Sequence, residues 1–211
     1  MREFDPIGEL PPARRVANRT IHNRLAAAER GEAFFDGDRA NGYGGLRDDG
    51  RWAVVAERLI AAYELAPGAR VLQMLCHKGY LLRELALRGM RVKGTETSRY
   101  AQLHAVLPIA LERPTRVING PGAYDLVICM SAVYMQSLPE AVRVLRECQR
   151  VAKRAFVTLG AWRTPEEYWI LRRWMLLGCT LLTPEEWLAV MRHAGYEGDY
   201  RFDTVQSLGL T

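Results

Sequence analysis

From Arg70 onward short apolar runs alternate with amphipathic stretches, and that alternation restricts the fold more than any other feature of the chain. It predicts strands over 70–75, 91–95, 115–118, 124–130 and 155–159, and helices over 79–88, 98–107, 139–151, 165–177 and 184–194. Brief aliphatic strands separated by amphipathic helices belong to a parallel sheet with helices on both faces. The helix over 184–194 carries its own start signal, with Thr183 as N-cap, Pro184 at the first helical position and Glu186 completing a capping box. The ending GYEGDYRFDTV reads as a closing strand or pair of strands, commonly antiparallel in such a sheet. The expected class is α/β.

Upstream, Val16, Ile21, Leu25 and Ala28 recur at near-helical spacing, which predicts one or two short helices within 11–31. The run FFDGDRANGYGGLRDDGRW (34–52) is too rich in glycine and aspartate for a regular element. Helical period returns from Arg51 to Tyr63, with Trp52, Val55, Ala56, Leu59, Ile60 and Tyr63 on one face. The chain divides accordingly into a helical arm with a glycine-rich lid loop (1–52) and the alternating domain (53–211).

Bulk properties exclude several classes. A length of 211 residues suits one domain with an extension, and no apolar run approaches the ~20 residues of a membrane span. The opening MREFDPIGELPPARR is charged and broken by proline, unlike a secretory signal. Cys76, Cys129, Cys148 and Cys179 form no C-x-x-C pair, and three sit within apolar or helical pattern. They read as buried thiols of a cytoplasmic protein, not as disulfides or zinc ligands. The net charge of +5 comes from arginine, with Arg2, Arg14, Arg15, Arg19, Arg24 and Arg30 crowding the arm. Without zinc-finger spacing or an RNP-like strand, this reads as a solvated helix face, so neither nucleic acid nor membrane is expected as a partner. A homodimer is left open.

Chemistry concentrates at VLQMLCHKGYLLREL (71–85), a strand–loop–helix in which only Gly79 supplies the glycine that a ligand-cradling turn demands. Ligands of open α/β sheets sit outside the carboxyl ends of the strands, where this loop lies. Glu96, in GTETS at the tip of the second strand, is placed to accept both hydroxyls of a ribose, or else to favour the N-terminus of the next helix. His77 is either a general base with a near-neutral pKa or a loop histidine bonded to a carbonyl. Trp52, Trp162, Trp169, Trp174 and Trp187 read as core or helix-packing residues. Asp48, Asp49 and Arg51 either clamp a ligand or form a local ion pair in a surface turn.

The stretch ARVLQMLCHKGYLLRELALRGMRVKGTETSRYA resembles the first half of a class I S-adenosylmethionine (SAM)-dependent methyltransferase. YDLVICMSAVYMQSLPEAVRVLRECQRVAKRAFVTLG is similar to that family's fourth strand, helix and fifth strand. GYGGLRDDGRW and GYEGDYRF also resemble a bacterial subgroup, so that the likeness spans roughly residues 34 to 205. The resemblance implies a Rossmann-like fold, a mostly parallel seven-stranded sheet, and SAM as cofactor. It places the family's first-strand acid on Gln73, its three loop glycines on Leu75, His77 and Gly79, and its ribose acid on Glu96. Cys76, Tyr80 and Thr97 adjoin these positions, Asn119 lies nearest the adenine position, and Met130, Ser131, Ala132 and Tyr134 border cofactor and substrate. Tyr43, Tyr80 and Tyr134 offer aromatic faces to a sulfonium, or pack at the edge of the core. His77, Tyr134 and Tyr43 are the candidate catalytic groups.

Gln73 departs from the family, since it accepts a hydrogen bond without a carboxylate's charge. The resemblance thus implies methyl transfer to an oxygen, nitrogen or carbon of a small molecule, with a biosynthetic role. The altered 73–77 loop leaves two alternatives. One is an intramolecular cyclase that takes SAM alone and releases methylthioadenosine. The other is a SAM-binding scaffold without catalysis.

Overall fold

A computed structural model describes residues 1–8 and 18–211; Arg14, Arg15 and Val16 of the expected arm lie outside the described residues. The arm contains α1 (Ile21–Ala28), α2 (Glu32–Phe35) and a 3-10 turn at Arg39–Asn41, followed by α3 (Arg51–Ala62). The alternating part gives β1 (Arg70–Met74), α4 (Tyr80–Leu87), β2 (Arg91–Glu96), α5 (Arg99–Leu103) and β3 (Ala110–Leu111). It continues with β4 (Leu126–Cys129), α6 (Leu138–Val151), β5 (Ala155–Gly160), α7 (Pro165–Trp174), α8 (Pro184–Ala194) and β6 (Asp199–Asp203). Side-chain oxygens of Thr20, Ser98, Thr164 and Thr183 satisfy amides that helix starts leave unpaired. Thr183 and Glu186 close the capping box, and Gly195 ends α8 in the left-handed conformation.

The strands form one sheet in the order β3-β2-β1-β4-β5-β6, with every neighbouring pair parallel. The α/β class holds, with six strands among the described residues where seven were expected. The last strand is parallel, not antiparallel, because α8 carries the chain back along the sheet before β6 begins. Residues 2–4 cover its outer side instead, through Phe4 N–H to Tyr200 O (2.8 Å) and Tyr200 N–H to Arg2 O (3.0 Å).

Three other expectations shift. No strand forms over 115–118; the Val117 amide donates to the Glu147 carboxylate at 2.6 Å, and the third strand lies earlier, at Ala110–Leu111. The helix expected over 98–107 ends at Leu103, short of Pro108, which disfavours helical backbone just before it. The one expected over 165–177 ends at Trp174, where Met175 leaves helical dihedrals at φ −84°, ψ 82°.

Helices α6, α7 and α8 bury one face of the sheet around Val144, Leu145 and Trp187, whose indole N–H donates to Gly160 O at 2.8 Å. Helices α3 and α4 bury the other around Leu59, Leu81 and Phe156. Trp169 is 61% exposed, so the tryptophans do not all pack inside. Cys76, Cys129 and Cys148 are buried and Cys179 exposed, all as free thiols. No helix among the described residues is long and apolar enough to cross a membrane. Strand order reverses between β1 and β4, which opens a crevice beyond their carboxyl ends.

Candidate functional site

The loop from β1 to α4 keeps a glycine geometry without the glycines. Leu75, His77 and Gly79 all have left-handed φ, at 49°, 54° and 80°. Such a conformation costs a non-glycine residue about 1–2 kcal/mol, so neighbouring contacts must hold it. Leu75 is buried in the core, and the His77 amide donates to Glu96 Oε2 at 2.9 Å. Ser131 repeats the strain across the crevice, with φ 64° and its amide donated to Thr158 Oγ1 at 2.8 Å.

Between these turns lies a cavity of about 480 Å³. Of the residues singled out in the sequence, Tyr43, Gln73, Cys76, His77, Tyr80, Met130, Ser131 and Tyr134 border it. The arm supplies further wall through Phe34, Arg39, Leu46 and Arg51, and the segment after α7 closes one side with Met175 to Gly178. Gly79, Glu96, Thr97 and Asn119 are not on the wall. Gly79 faces Leu107 and Ile109, while Asn119 Oδ1 accepts from Lys93 Nζ (3.1 Å) and the Tyr124 hydroxyl (2.7 Å).

Glu96 is fully buried. Its Oε1 accepts from Arg30 Nη2 (2.6 Å), the Thr97 amide (2.7 Å), the Thr97 hydroxyl (3.3 Å) and the Ser98 amide (3.1 Å). Burial pushes its carboxyl pKa up, but Arg30, His77 and the amides outweigh burial and hold it below the ordinary value. The open ribose acceptor expected from the sequence is thus closed by the chain itself. Nearby, Lys78 Nζ donates to both oxygens of Asp36 (2.6 and 2.5 Å), and the Tyr100 hydroxyl to one of them (2.7 Å). The Tyr80 hydroxyl donates to Leu46 O at 3.1 Å.

The other half of the crevice is less committed. Gln73, buried at the end of β1, has an Oε1 without a hydrogen-bond partner among the described residues. His77 Nε2 lies 3.4 Å from the Tyr43 hydroxyl, and burial pushes the imidazole down to about 4. That corrects the near-neutral base expected from the sequence: at physiological pH His77 is neutral, and its low pKa makes it a feeble proton acceptor. Burial raises Tyr43 to about 12 and lifts Tyr134 further. Cys76 is likewise raised by burial, so its thiol stays protonated. Asp49 and Arg51 form the local ion pair, and Asp48 pairs with Arg83.

Sequence reasoning missed the far wall, made by Thr158 within β5 and by Arg201 and Asp203 of β6. Asp203 is buried, paired with Arg201 and hydrogen-bonded to Thr158, and burial outweighs both to raise its pKa. Arg201 also meets Asp5 at 2.8 Å. The available signal was the alternation of Asp199, Arg201 and Asp203, a charged strand face leading into the crevice.

No protein-family model matches the chain. It is 30% identical over 104 residues to the ubiquinone biosynthesis O-methyltransferase of Burkholderia thailandensis, a match spanning 44% of each chain. The corresponding protein of Chromobacterium violaceum is 31% identical over 96 residues, 41% of this chain and 40% of that one. Among solved structures, magnesium protoporphyrin IX methyltransferase from Synechocystis, determined with bound S-adenosylhomocysteine (SAH), superposes with a TM-score of 0.53. The two are 19% identical, over 74% of this chain and 81% of that one.

Proposed function

We propose that this chain, which has the Rossmann-like fold of class I SAM-dependent methyltransferases, transfers the methyl group of SAM to an oxygen or nitrogen of a small molecule. The observation that carries this reading is the unpartnered Gln73 Oε1 on the wall of a cavity at the topological switch point. A buried acceptor left unsatisfied costs about 1–3 kcal/mol, which a ligand's ammonium group at this position would relieve. The residues therefore fit the methionine end of SAM, and a cavity of about 480 Å³ falls in the range of small-molecule sites.

When bound, SAM supplies a methyl carbon made electrophilic by its sulfonium. Gln73 would hold the ammonium, and Tyr43 and Tyr134, which line the cavity, would supply aromatic rings of the kind that attract a cation. Neutral His77 adds no competing charge beside them. On the opposite wall, Asp203 binds the acceptor's hydroxyl or amine and takes its proton, and Thr158 and Arg201 fix that carboxylate. Arg47, Asp49, Arg51 and Trp52, with Met175 to Gly178, line the cavity and would keep water from this exchange.

The test is to incubate the protein with methyl-labelled SAM and a deproteinised metabolite extract. A labelled small molecule with a matching amount of SAH is expected. Methylthioadenosine released from SAM alone would replace methyl transfer by intramolecular displacement. Failure to bind SAM or SAH would end both readings.

A further inference from the structure

We propose that Arg30 stands in for a ligand's ribose at Glu96 and latches the arm shut until a nucleoside displaces it, an inference that rests on the SAM reading above. A carboxylate at the tip of the second strand recognises ribose hydroxyls only if its oxygens can be reached. Here neither can. The amides of His77, Thr97 and Ser98 belong to the crevice itself. Arg30 does not: it arrives from the arm, 66 residues earlier in the chain, and its guanidinium is the removable partner.

Its geometry suits a latch. Arg30 has φ 49°, a strained value for a non-glycine residue, at the exit of α1 and directly before Gly31. Its Nε is buried without a partner among the described residues, a cost that undocking would relieve. The same segment is pinned at a second point, where Asp36 meets Lys78 and Tyr100. Between the two pins Phe35 is fully buried and lies nearly parallel to Tyr100, with centroids 6.1 Å apart and planes at 15°. A nucleobase makes this kind of contact with an aromatic side chain. The arm therefore imitates both parts of a nucleoside, a donor to the carboxylate and a flat ring beside it. Binding exchanges one set of contacts for the other, and the arm opens as the nucleoside enters.

Calorimetric titration of the full chain with SAH and with adenosine tests the latch, alongside hydrogen exchange of residues 30–46. Arg30→Ala should bind both ligands about tenfold tighter than the unaltered chain, because the latched population no longer subtracts from the competent one. SAH should speed exchange across 30–46 in the unaltered chain, whereas Arg30→Ala should exchange fast without ligand. Asp36→Asn leaves Glu96 untouched and should tighten SAH binding about threefold, which serves if Arg30→Ala does not fold. Unchanged or weaker SAH binding by these variants, or slower exchange on adding SAH, would make Arg30 a fixed wall of the site and overturn the proposal. If neither the unaltered chain nor any variant binds SAH or adenosine, the SAM reading falls first and the latch with it.

Discussion

At the tip of β2, Glu96 spends both oxygens on partners within the chain; at the end of β1, Gln73 keeps an oxygen that nothing among the described residues satisfies. The two lie on adjacent parallel strands of one sheet. Glu96 and Arg30 join the arm to the sheet, so their pairing contributes to the folded state, and the proposed latch requires it to rearrange before a nucleoside enters. Gln73 costs stability as it stands, and on the proposed SAM reading a bound ammonium group would recover it. Sites commonly divide this way, with local violations of good packing placed where a ligand corrects them.

The contrast breaks most visibly at Glu96. Glu96→Ala should lose about 3–5 kcal/mol of stability in denaturant titration, since Arg30 is then left buried without its carboxylate. A loss below about 1 kcal/mol would mean that the pairing holds nothing. Asp203→Asn sharpens the picture on the acceptor wall, where methyl transfer should fall about a hundredfold or more while SAH affinity is retained. Because the Asp203 pKa is raised, activity should climb with pH through that elevated value, and the asparagine variant should lack that limb.

His77 gives a stability test with a definite sign. Its folded pKa of about 4 lies below the ordinary 6.5, so the unfolded chain binds the proton first. Stability is therefore complete above about pH 6.5 and declines as pH falls toward 4, by up to about 3 kcal/mol. His77→Asn, which tolerates the left-handed backbone, should flatten that decline in a pH series of unfolding curves. The smallest effect is expected at Gln73. Gln73→Leu should leave stability unchanged or raise it by about 1 kcal/mol, while SAH affinity drops; a marked destabilisation would erase the contrast with Glu96.

Local signals read well from the sequence. The Thr183–Glu186 box fixes the start of α8 to the residue, because capping needs only neighbours in the chain. That no strand forms over 115–118 was not legible, since the Val117 amide is claimed by Glu147, 30 residues away. Nor was the direction of β6, which depends on how α8 crosses the sheet. In the site, the crevice rule and the family resemblance brought Tyr43, Gln73, His77 and Tyr134 to one cavity. They also led to Glu96, but not to Arg30 closing it, a contact between distant parts of the chain. Leu75 and His77 teach a further point: composition suggested that a glycine loop had been lost, yet its left-handed backbone persists under bulkier side chains.

The pairing of residues 2–4 along β6 does more than complete the sheet. Without it the strand would present bare amides and carbonyls, a template on which other copies could align and precipitate. The same segment brings Arg2 to Asp199 and Asp5 to Arg201, and Arg201 in turn holds Asp203. Trimming these few residues would therefore disturb solubility and the acceptor wall together. A shortened chain that aggregates or loses activity would report on this edge before it reported on the chemistry of the crevice.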